Sequence, residues 1–266
     1  MMGQRLRQAW RDAWRHPGLC LLSIAVDFIF LVAFVMSYTI LFSQTSDHIA
    51  AINSALSQQT ADFVATQNPQ ALALSPETTG HYQALLWGIG AMLLTLYLLW
   101  TLTQAPNWWA AHKAVGEKPG FLKVLWRMSW INLVWLVLFV LILGGSVWAG
   151  QESSMSPVPL IGPDAYTWLA GLLVVILAYF MTVSYSLLTR TNPLRCGIVE
   201  GFRHAKLYIP LFLIAVAGTL LLGYVVTLIG NVGSAFGLLG IALLLAWIAY
   251  CRVLFSLTAQ KLHQST

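Results

Sequence analysis

The sequence predicts an all-α polytopic membrane protein with six transmembrane helices and both termini in the cytoplasm. The first observation is composition: 58% of the 266 residues are hydrophobic and only 9% are charged, whereas soluble domains carry about 25% charged residues. The second is a set of six long apolar runs, and the third is the one-sided placement of Lys and Arg. A chain with so little polar surface needs the bilayer as its solvent.

The six apolar runs are each long enough to cross a membrane. A helix needs about 20 apolar residues to span the hydrocarbon core. The predicted spans are residues 19–42, 84–102, 129–148, 166–188, 208–229 and 235–257. The first run is longer than the roughly 7–15 residues of a signal-peptide core, so we predict an uncleaved anchor. The whole chain, 1–266, is predicted to be one six-helix transmembrane domain.

The basic residues alternate between the segments that connect the spans. Four lie in each of the segments 1–18, 103–128 and 189–207, and none lies in 43–83, 149–165 or 230–234. Cytoplasmic segments of membrane proteins collect Lys and Arg. This pattern predicts cytoplasmic termini and residence in the cell membrane (the inner membrane, where there are two).

The first element, residues 1–18, is predicted to be an amphipathic helix lying in the membrane interface. Its aromatic and basic residues recur with helical spacing, which is typical of helices that bind anionic lipid headgroups. Pro17 and Gly18 then permit a bend into the first span. The predicted membrane-surface residues are Arg7, Arg11, Arg15, Trp10 and Trp14.

Similar elbow helices are predicted before spans three and five, where an aromatic residue again precedes an arginine (Trp126-Arg127 and Phe202-Arg203). One interpretation is an internal repeat of three units, each an elbow followed by a helical hairpin. The other is that any cytoplasmic start of a span collects Arg and Trp.

The two longer outer segments are predicted to differ in structure. Segment 43–83 is read as an extracytoplasmic loop containing an amphipathic helix, with Ser46 as its N-cap and Asn68-Pro69 as its stop. The apolar residues of that helix are Ile49, Ile52, Leu56 and Phe63. Segment 149–165 contains three prolines and is predicted to be a non-helical cap.

Asp27 is a carboxylate in the middle of the first apolar run. It lies about 12 Å from the predicted cytoplasmic boundary, and Arg252 lies about 8 Å from the same boundary in span six. A charge at that depth needs a partner inside the bundle. The predicted intramembrane polar cluster is Asp27, Arg252, Ser23, Asn132, Ser184, Tyr185 and Tyr250. It is read either as part of a polar cavity or ion path, or as a structural pair that locks two spans together.

Several motifs of catalysis are missing from the sequence. There is no G-x-x-x-x-G-K-[ST], no H-E-x-x-H and no G-x-S-x-G. The histidines are scattered, and the three cysteines form no C-x-x-C pair. We therefore predict no catalytic residues, no metal site and no cofactor.

The stretch NWWAAHKAVGEKPGFLKVLWRMSWINLVWL and the elbows resemble an uncharacterised group of archaeal and bacterial six-span proteins. That group is related to the membrane domain attached to some glycerophosphodiester phosphodiesterases. More loosely, the chain is similar to permease subunits of two-component ABC exporters. The resemblance implies a six-span fold and supplies no catalytic residues.

Three functions follow as hypotheses. The first is a transport or permease-like membrane component, and the second is a non-catalytic membrane-organising or complex-assembly protein. A lipid-acting enzyme ranks below both, because no nucleophile or metal set accompanies the charges. The expected partners are the bilayer, anionic headgroups and a protein partner or second copy, but not nucleic acid.

Overall fold

The computed structural model describes residues 2–67, 75–155, 162–230 and 234–264, and within these ranges every element of secondary structure is a helix. The helices are α1 (Met2–Arg15), α2 (Pro17–Thr66), α3 (Pro76–Ala114), α4 (Phe121–Met155), α5 (Pro163–Ser186), α6 (Pro193–Arg203), α7 (Ala205–Gly230) and α8 (Ser234–Gln264).

Six of these helices, α2, α3, α4, α5, α7 and α8, are long and apolar enough to cross a membrane. The prediction of an all-α, multi-pass membrane protein is therefore confirmed. The cytoplasmic side of the termini and the identity of the membrane stay predictions.

Short helices precede only two of the three spans for which an elbow was predicted. α1 and α6 are separate helices in front of α2 and α7, and Pro17 and Pro193 begin α2 and α6. In front of the third span, residues 115–120 form a turn and an irregular segment, and α4 then starts at Phe121. Trp126 and Arg127 therefore lie in the second turn of the spanning helix itself. The interfacial position of α1 and α6 stays a prediction.

The two segments predicted to be outer loops, 43–83 and 149–165, are more helical than predicted where the structure describes them. α2 continues without a break to Thr66, so Ser46 is an interior residue and not an N-cap. The physical reason is that residues 19–66 contain neither Gly nor Pro, and nothing else in the sequence stops the helix. α2 ends where Gln67 takes a positive φ of 56°; Asn68 and Pro69 lie outside the described residues. α4 similarly extends through 149–155, which the sequence predicted to be non-helical.

The chain divides into two compact units: Met1–Phe28 with Thr101–Thr266, called here the larger unit, and Ile29–Trp100, called here the hairpin unit. In the hairpin unit α2 and α3 run antiparallel. Phe30 packs edge-on against Trp100 with ring centroids 5.5 Å apart, and His48 Nδ1 lies 3.1 Å from His81 Nδ1. The prediction of a single domain stays a prediction.

The core of the larger unit surrounds the second half of α8. Every residue from Cys251 to Ala259 is buried, which is the behaviour of a helix enclosed on all sides. α5 and α6 meet closely beside it: a Cβ on Gly197 would lie 2.6 Å from the Ser184 Cα, and the Tyr179 hydroxyl donates to the Gly201 carbonyl at 2.7 Å. This unit holds all the intramembrane polar residues that the sequence singled out.

Candidate functional site

The centre of the predicted polar cluster is a two-pronged ion pair between α2 and α8. Arg252 Nη1 lies 2.5 Å from Asp27 Oδ2, and Nη2 lies 2.9 Å from Oδ1. Both residues are buried, with 5% of Asp27 and 7% of Arg252 exposed. A fork of two parallel N–H···O bonds is the strongest geometry for a guanidinium and a carboxylate. The predicted pairing of these two residues agrees with this geometry.

Three further side chains complete the hydrogen bonding of the pair. Arg252 also donates to Ser23 Oγ and to Gln104 Oε1, each at 3.0 Å. Asn107 Nδ2 donates to Asp27 Oδ1 at 2.6 Å. Each charge therefore has partners beyond its counter-ion, as burial of an ion pair requires. These five residues, Ser23, Asp27, Gln104, Asn107 and Arg252, are called here the ion-pair cluster.

The ion-pair cluster is closed. The cavity next to it, beside Ser23 and Asn107, has a volume of about 10 Å³, which is no more than a single water needs. Asn107 Oδ1 is the one buried cluster atom without a hydrogen-bond partner among the described residues. Asp27 lines none of four cavities described in the larger unit.

The remaining predicted cluster residues lie in other arrangements. Asn132 and Tyr185 form a second polar group, in which Asn132 Nδ2 donates to Thr101 Oγ1 at 2.9 Å and the Tyr185 hydroxyl donates to Asn132 Oδ1. Ser184 donates to the carbonyl of Phe180 in its own helix.

The hydroxyl and the ring of Tyr250 contact α1 rather than the ion pair. Its hydroxyl donates to the Leu6 carbonyl at 3.1 Å, and its ring lies 6.0 Å from that of Trp10. The residues predicted as one cluster thus form several separate sets of contacts. They were grouped because they lie at similar depths in the bilayer, but side chains at the same depth can point in different directions around the bundle.

Sequence reasoning missed Gln104 and Asn107. The second span was predicted to end at residue 102, so both residues were counted as part of a polar loop. α3 instead continues through Pro106 to Ala114, which carries them into the buried interior. Their spacing of three residues puts them on one helical face, and that signal was present in the sequence.

The predicted membrane-surface residues are exposed, as a surface role needs. The indoles of Trp10 and Trp14 and the side chains of Arg7, Arg11 and Arg15 lie on the outside of α1. The inner face of α1 packs on α8 through Ala9, which is fully buried, and Gln8 accepts a hydrogen bond from Lys261 Nζ. Their contact with lipid headgroups stays a prediction.

A hydrogen-bonded pair, His112 and Glu117, joins the end of α3 to the segment that follows it. The buried ring of His112 has Nε2 3.1 Å from the Tyr185 carbonyl and Nδ1 2.8 Å from Glu117 Oε2. A carbonyl only accepts, so Nε2 carries a proton. Burial alone raises the pKa of the Glu117 carboxyl. The hydrogen bonds and charges of His112, with Thr189 and Arg190, outweigh burial and lower the pKa below its ordinary value. The contact with His112 therefore favours the ionised form of the Glu117 carboxyl.

Comparison of the chain with family models, with curated proteins and with solved structures finds no match. The resemblance to six-span proteins related to the phosphodiesterase membrane domain accordingly stays a prediction. Among the described residues no group of three or more His, Cys, Asp or Glu side chains is arranged to hold a metal ion.

Proposed function

We propose that this multi-pass membrane protein is a non-catalytic membrane-organising or complex-assembly protein that binds a protein partner through the hairpin unit. The observation that carries the proposal is the length of α2. A helix of 50 residues is about 75 Å long, whereas the hydrocarbon core of a bilayer is about 30 Å thick. Crossing the membrane accounts for less than half of α2.

The part of α2 beyond the predicted span carries an exposed apolar stripe. Ile49 is 45% exposed and Leu56 is 37% exposed, and a separation of seven residues places them on one side of the helix. Ile52, between them, is buried. Ile49 and Leu56 therefore belong to the same apolar face of α2 as Ile52, which is already buried.

Charge favours a protein over a lipid surface as the occupant of this stripe. Segment 43–83 contains Asp47, Asp62 and Glu77 and neither Lys nor Arg. Anionic headgroups would be repelled by such a segment, because membrane-surface helices bind through basic residues.

Transport through the Asp27 region receives no support from the closed ion-pair cluster. A conducting site needs room for a solute or a chain of waters, and the adjoining void is about 10 Å³. The cluster instead joins α2, α3 and α8 to one another through the ion pair and its hydrogen bonds, which is the geometry of a structural contact. The permease-like function stays a prediction, and none of the four cavities described above is lined by Asp27.

The proposal is tested by affinity purification of the full chain from its native membranes in mild detergent, followed by mass spectrometry. We expect a co-purifying protein that is lost from Ile49→Glu and Leu56→Glu variants. The same protein should be retained by Gln58→Glu, an exposed change on the opposite face of the same helix.

Two results would overturn the proposal. One is a partner retained equally by all three variants, since the stripe would then have no part in binding. The other is recovery of a nucleotide-binding ATPase as the stable partner, which would favour the permease-like hypothesis. Size-exclusion profiles of the variants check that each one is folded.

A further inference from the structure

Two cavities in the larger unit meet at one arginine. The first, of about 470 Å³, lies where α4 begins and where α5 and α8 end, and Arg127 is part of its wall. The second, of about 500 Å³, lies farther along α4, and Arg127 is again part of its wall. Together they follow α4 from Lys123 to Val134, a rise of about 17 Å. We call the first the basic cavity and the second the aromatic groove.

The basic cavity carries an excess of positive charge. Its cationic side chains are Lys118, Lys123, Arg127 and Arg190. Glu117 is the single carboxylate among the described residues that line either cavity, and it is already bonded to His112. Neither Lys118 nor Lys123 is in an ion pair within the described chain. Charges left unpaired around one cavity favour an anionic ligand.

Arg127 is held in place at the junction. Its Nη1 donates to the Leu188 carbonyl at 2.6 Å, which fixes the guanidinium between the two cavities. Arginine offers five N–H donors, so this bond leaves donors that face a ligand. A fixed, planar guanidinium is well suited to phosphate oxygens.

The aromatic groove is amphipathic along its length. Trp126 and Trp130 are 67% and 55% exposed, and their rings lie edge to face with centroids 6.2 Å apart. Ile131 and Val134 continue the wall from Trp130, and Arg127 and Arg195 also line the groove. Indoles with an apolar body and one N–H donor favour the boundary between headgroups and acyl chains.

We propose that these two cavities form a binding site for one anionic phospholipid, with its phosphate headgroup among the cations of the basic cavity and an acyl chain along the aromatic groove. A phosphate ligand without a chain would fill the basic cavity and leave the groove unexplained. Basic pockets between spanning helices are where anionic headgroups bind membrane proteins. The site uses a surface separate from the stripe on α2, so it stands whether or not the assembly function holds.

The test measures binding of defined lipids to the full chain in detergent by native mass spectrometry, with phosphatidylglycerol, cardiolipin and phosphatidylcholine as the probes. We expect retention of the two anionic lipids and not of phosphatidylcholine. At about 1 kcal/mol for each basic residue near a membrane surface, Lys123→Gln and Arg195→Gln should each weaken binding about fivefold. Lys206→Gln, which removes an exposed lysine of α7 outside both cavities, is the matched control and should leave binding unchanged.

A second measurement tests the placement of the chain. Phosphatidylglycerol with brominated acyl chains should quench tryptophan fluorescence, and a Trp126→Phe, Trp130→Phe double variant should lose a part of that quenching. Four results overturn the proposal: equal weakening in Lys206→Gln, an effect of Lys123→Gln without one of Arg195→Gln, unchanged quenching in the double variant, or displacement of the lipid by millimolar inorganic phosphate. The last would show that the basic cavity takes phosphate without a chain.

Discussion

At the scale of single residues, the contact with the largest expected effect is the one between Asp27 and Arg252. Two buried charges that share two hydrogen bonds gain little net stability over an apolar pair, because desolvation offsets their attraction. Removing only one partner is different, since it leaves the other charge buried and uncompensated. The value of the pair therefore lies in specifying which helices meet.

We predict that Asp27→Asn and Arg252→Gln each destabilise the protein by about 3–5 kcal/mol. The double change should cost less than the sum of the two, because neither orphaned charge remains. Thermal unfolding and folded yield in detergent measure this, with Asp164→Asn, an exposed acid, as the control. Strict additivity of the two single changes would show that the pair does not couple the helices.

The residues of the ion-pair cluster also show which parts of the site could be predicted from the sequence. Depth in the bilayer follows from counting residues along a helix, so the sequence alone could pair Asp27 with Arg252. Direction around the bundle depends on packing, and for that reason Asn132, Tyr185 and Tyr250 were grouped with the ion pair although the hydrogen bonds described for them go to Thr101, Asn132 and Leu6. Gln104 and Asn107 were missed because a polar segment after an apolar run looks like a loop.

At the scale of elements, helix ends follow from breakers more closely than from hydropathy. Pro17, Pro163 and Pro193 each begin a helix, as proline at the first helical position favours. Where Gly and Pro are missing, as in residues 19–66, the helix continues past the apolar run and into polar sequence. The separate outer helix was predicted from a change in polarity, and a change in polarity does not end a helix.

The close contact of α5 with α6 gives a prediction for one glycine. A Cβ at Gly197 would lie 2.1 Å from Ser184 Oγ and 2.6 Å from its Cα, and a backbone atom cannot move aside without shifting a helix. We expect Gly197→Ala to destabilise the larger unit by about 1–3 kcal/mol, as overpacking does.

Gly144→Ala is the matched control for that change, because it also lies inside a helix but has nothing within 4 Å of its Cβ position. Alanine should stabilise there by up to about 1 kcal/mol. Thermal unfolding of both variants under the same conditions measures the difference. Equal shifts in the two would mean that α5 and α6 are not in close contact.

At the scale of the whole molecule, the segregation of Lys and Arg predicts the orientation in the membrane. Single cysteines introduced at Lys113 and Lys118, both exposed, should react with an impermeant maleimide only after the cells are opened. A cysteine at Gln58 should react in intact cells.

The three native cysteines are replaced beforehand so that the label reports one site. Labelling of the Lys113 or Lys118 position in intact cells would contradict cytoplasmic termini, and with them the reading of every connecting segment. Failure of the Gln58 position to react in intact cells would contradict the outer location of the hairpin unit's far end.

The number of membrane-crossing helices could be predicted because hydrophobic length is a property of the chain alone. The division into a larger unit and a hairpin unit could not, since it depends on where packing between distant segments is dense. The same holds for the enclosed half of α8, whose apolar sequence looks like that of the other spans. Burial of Cys251 to Ala259 arises from the neighbours of α8 and not from its own composition.

The ion pair between Asp27 and Arg252 joins residues 225 positions apart, and this separation has a consequence for biosynthesis. At about 5–20 residues per second, roughly 10–45 seconds pass between translation of the carboxylate and translation of its guanidinium. During that interval the nascent α2 carries Asp27 without its counter-ion, so the segment must be sheltered in the insertion machinery until the ribosome has translated Arg252.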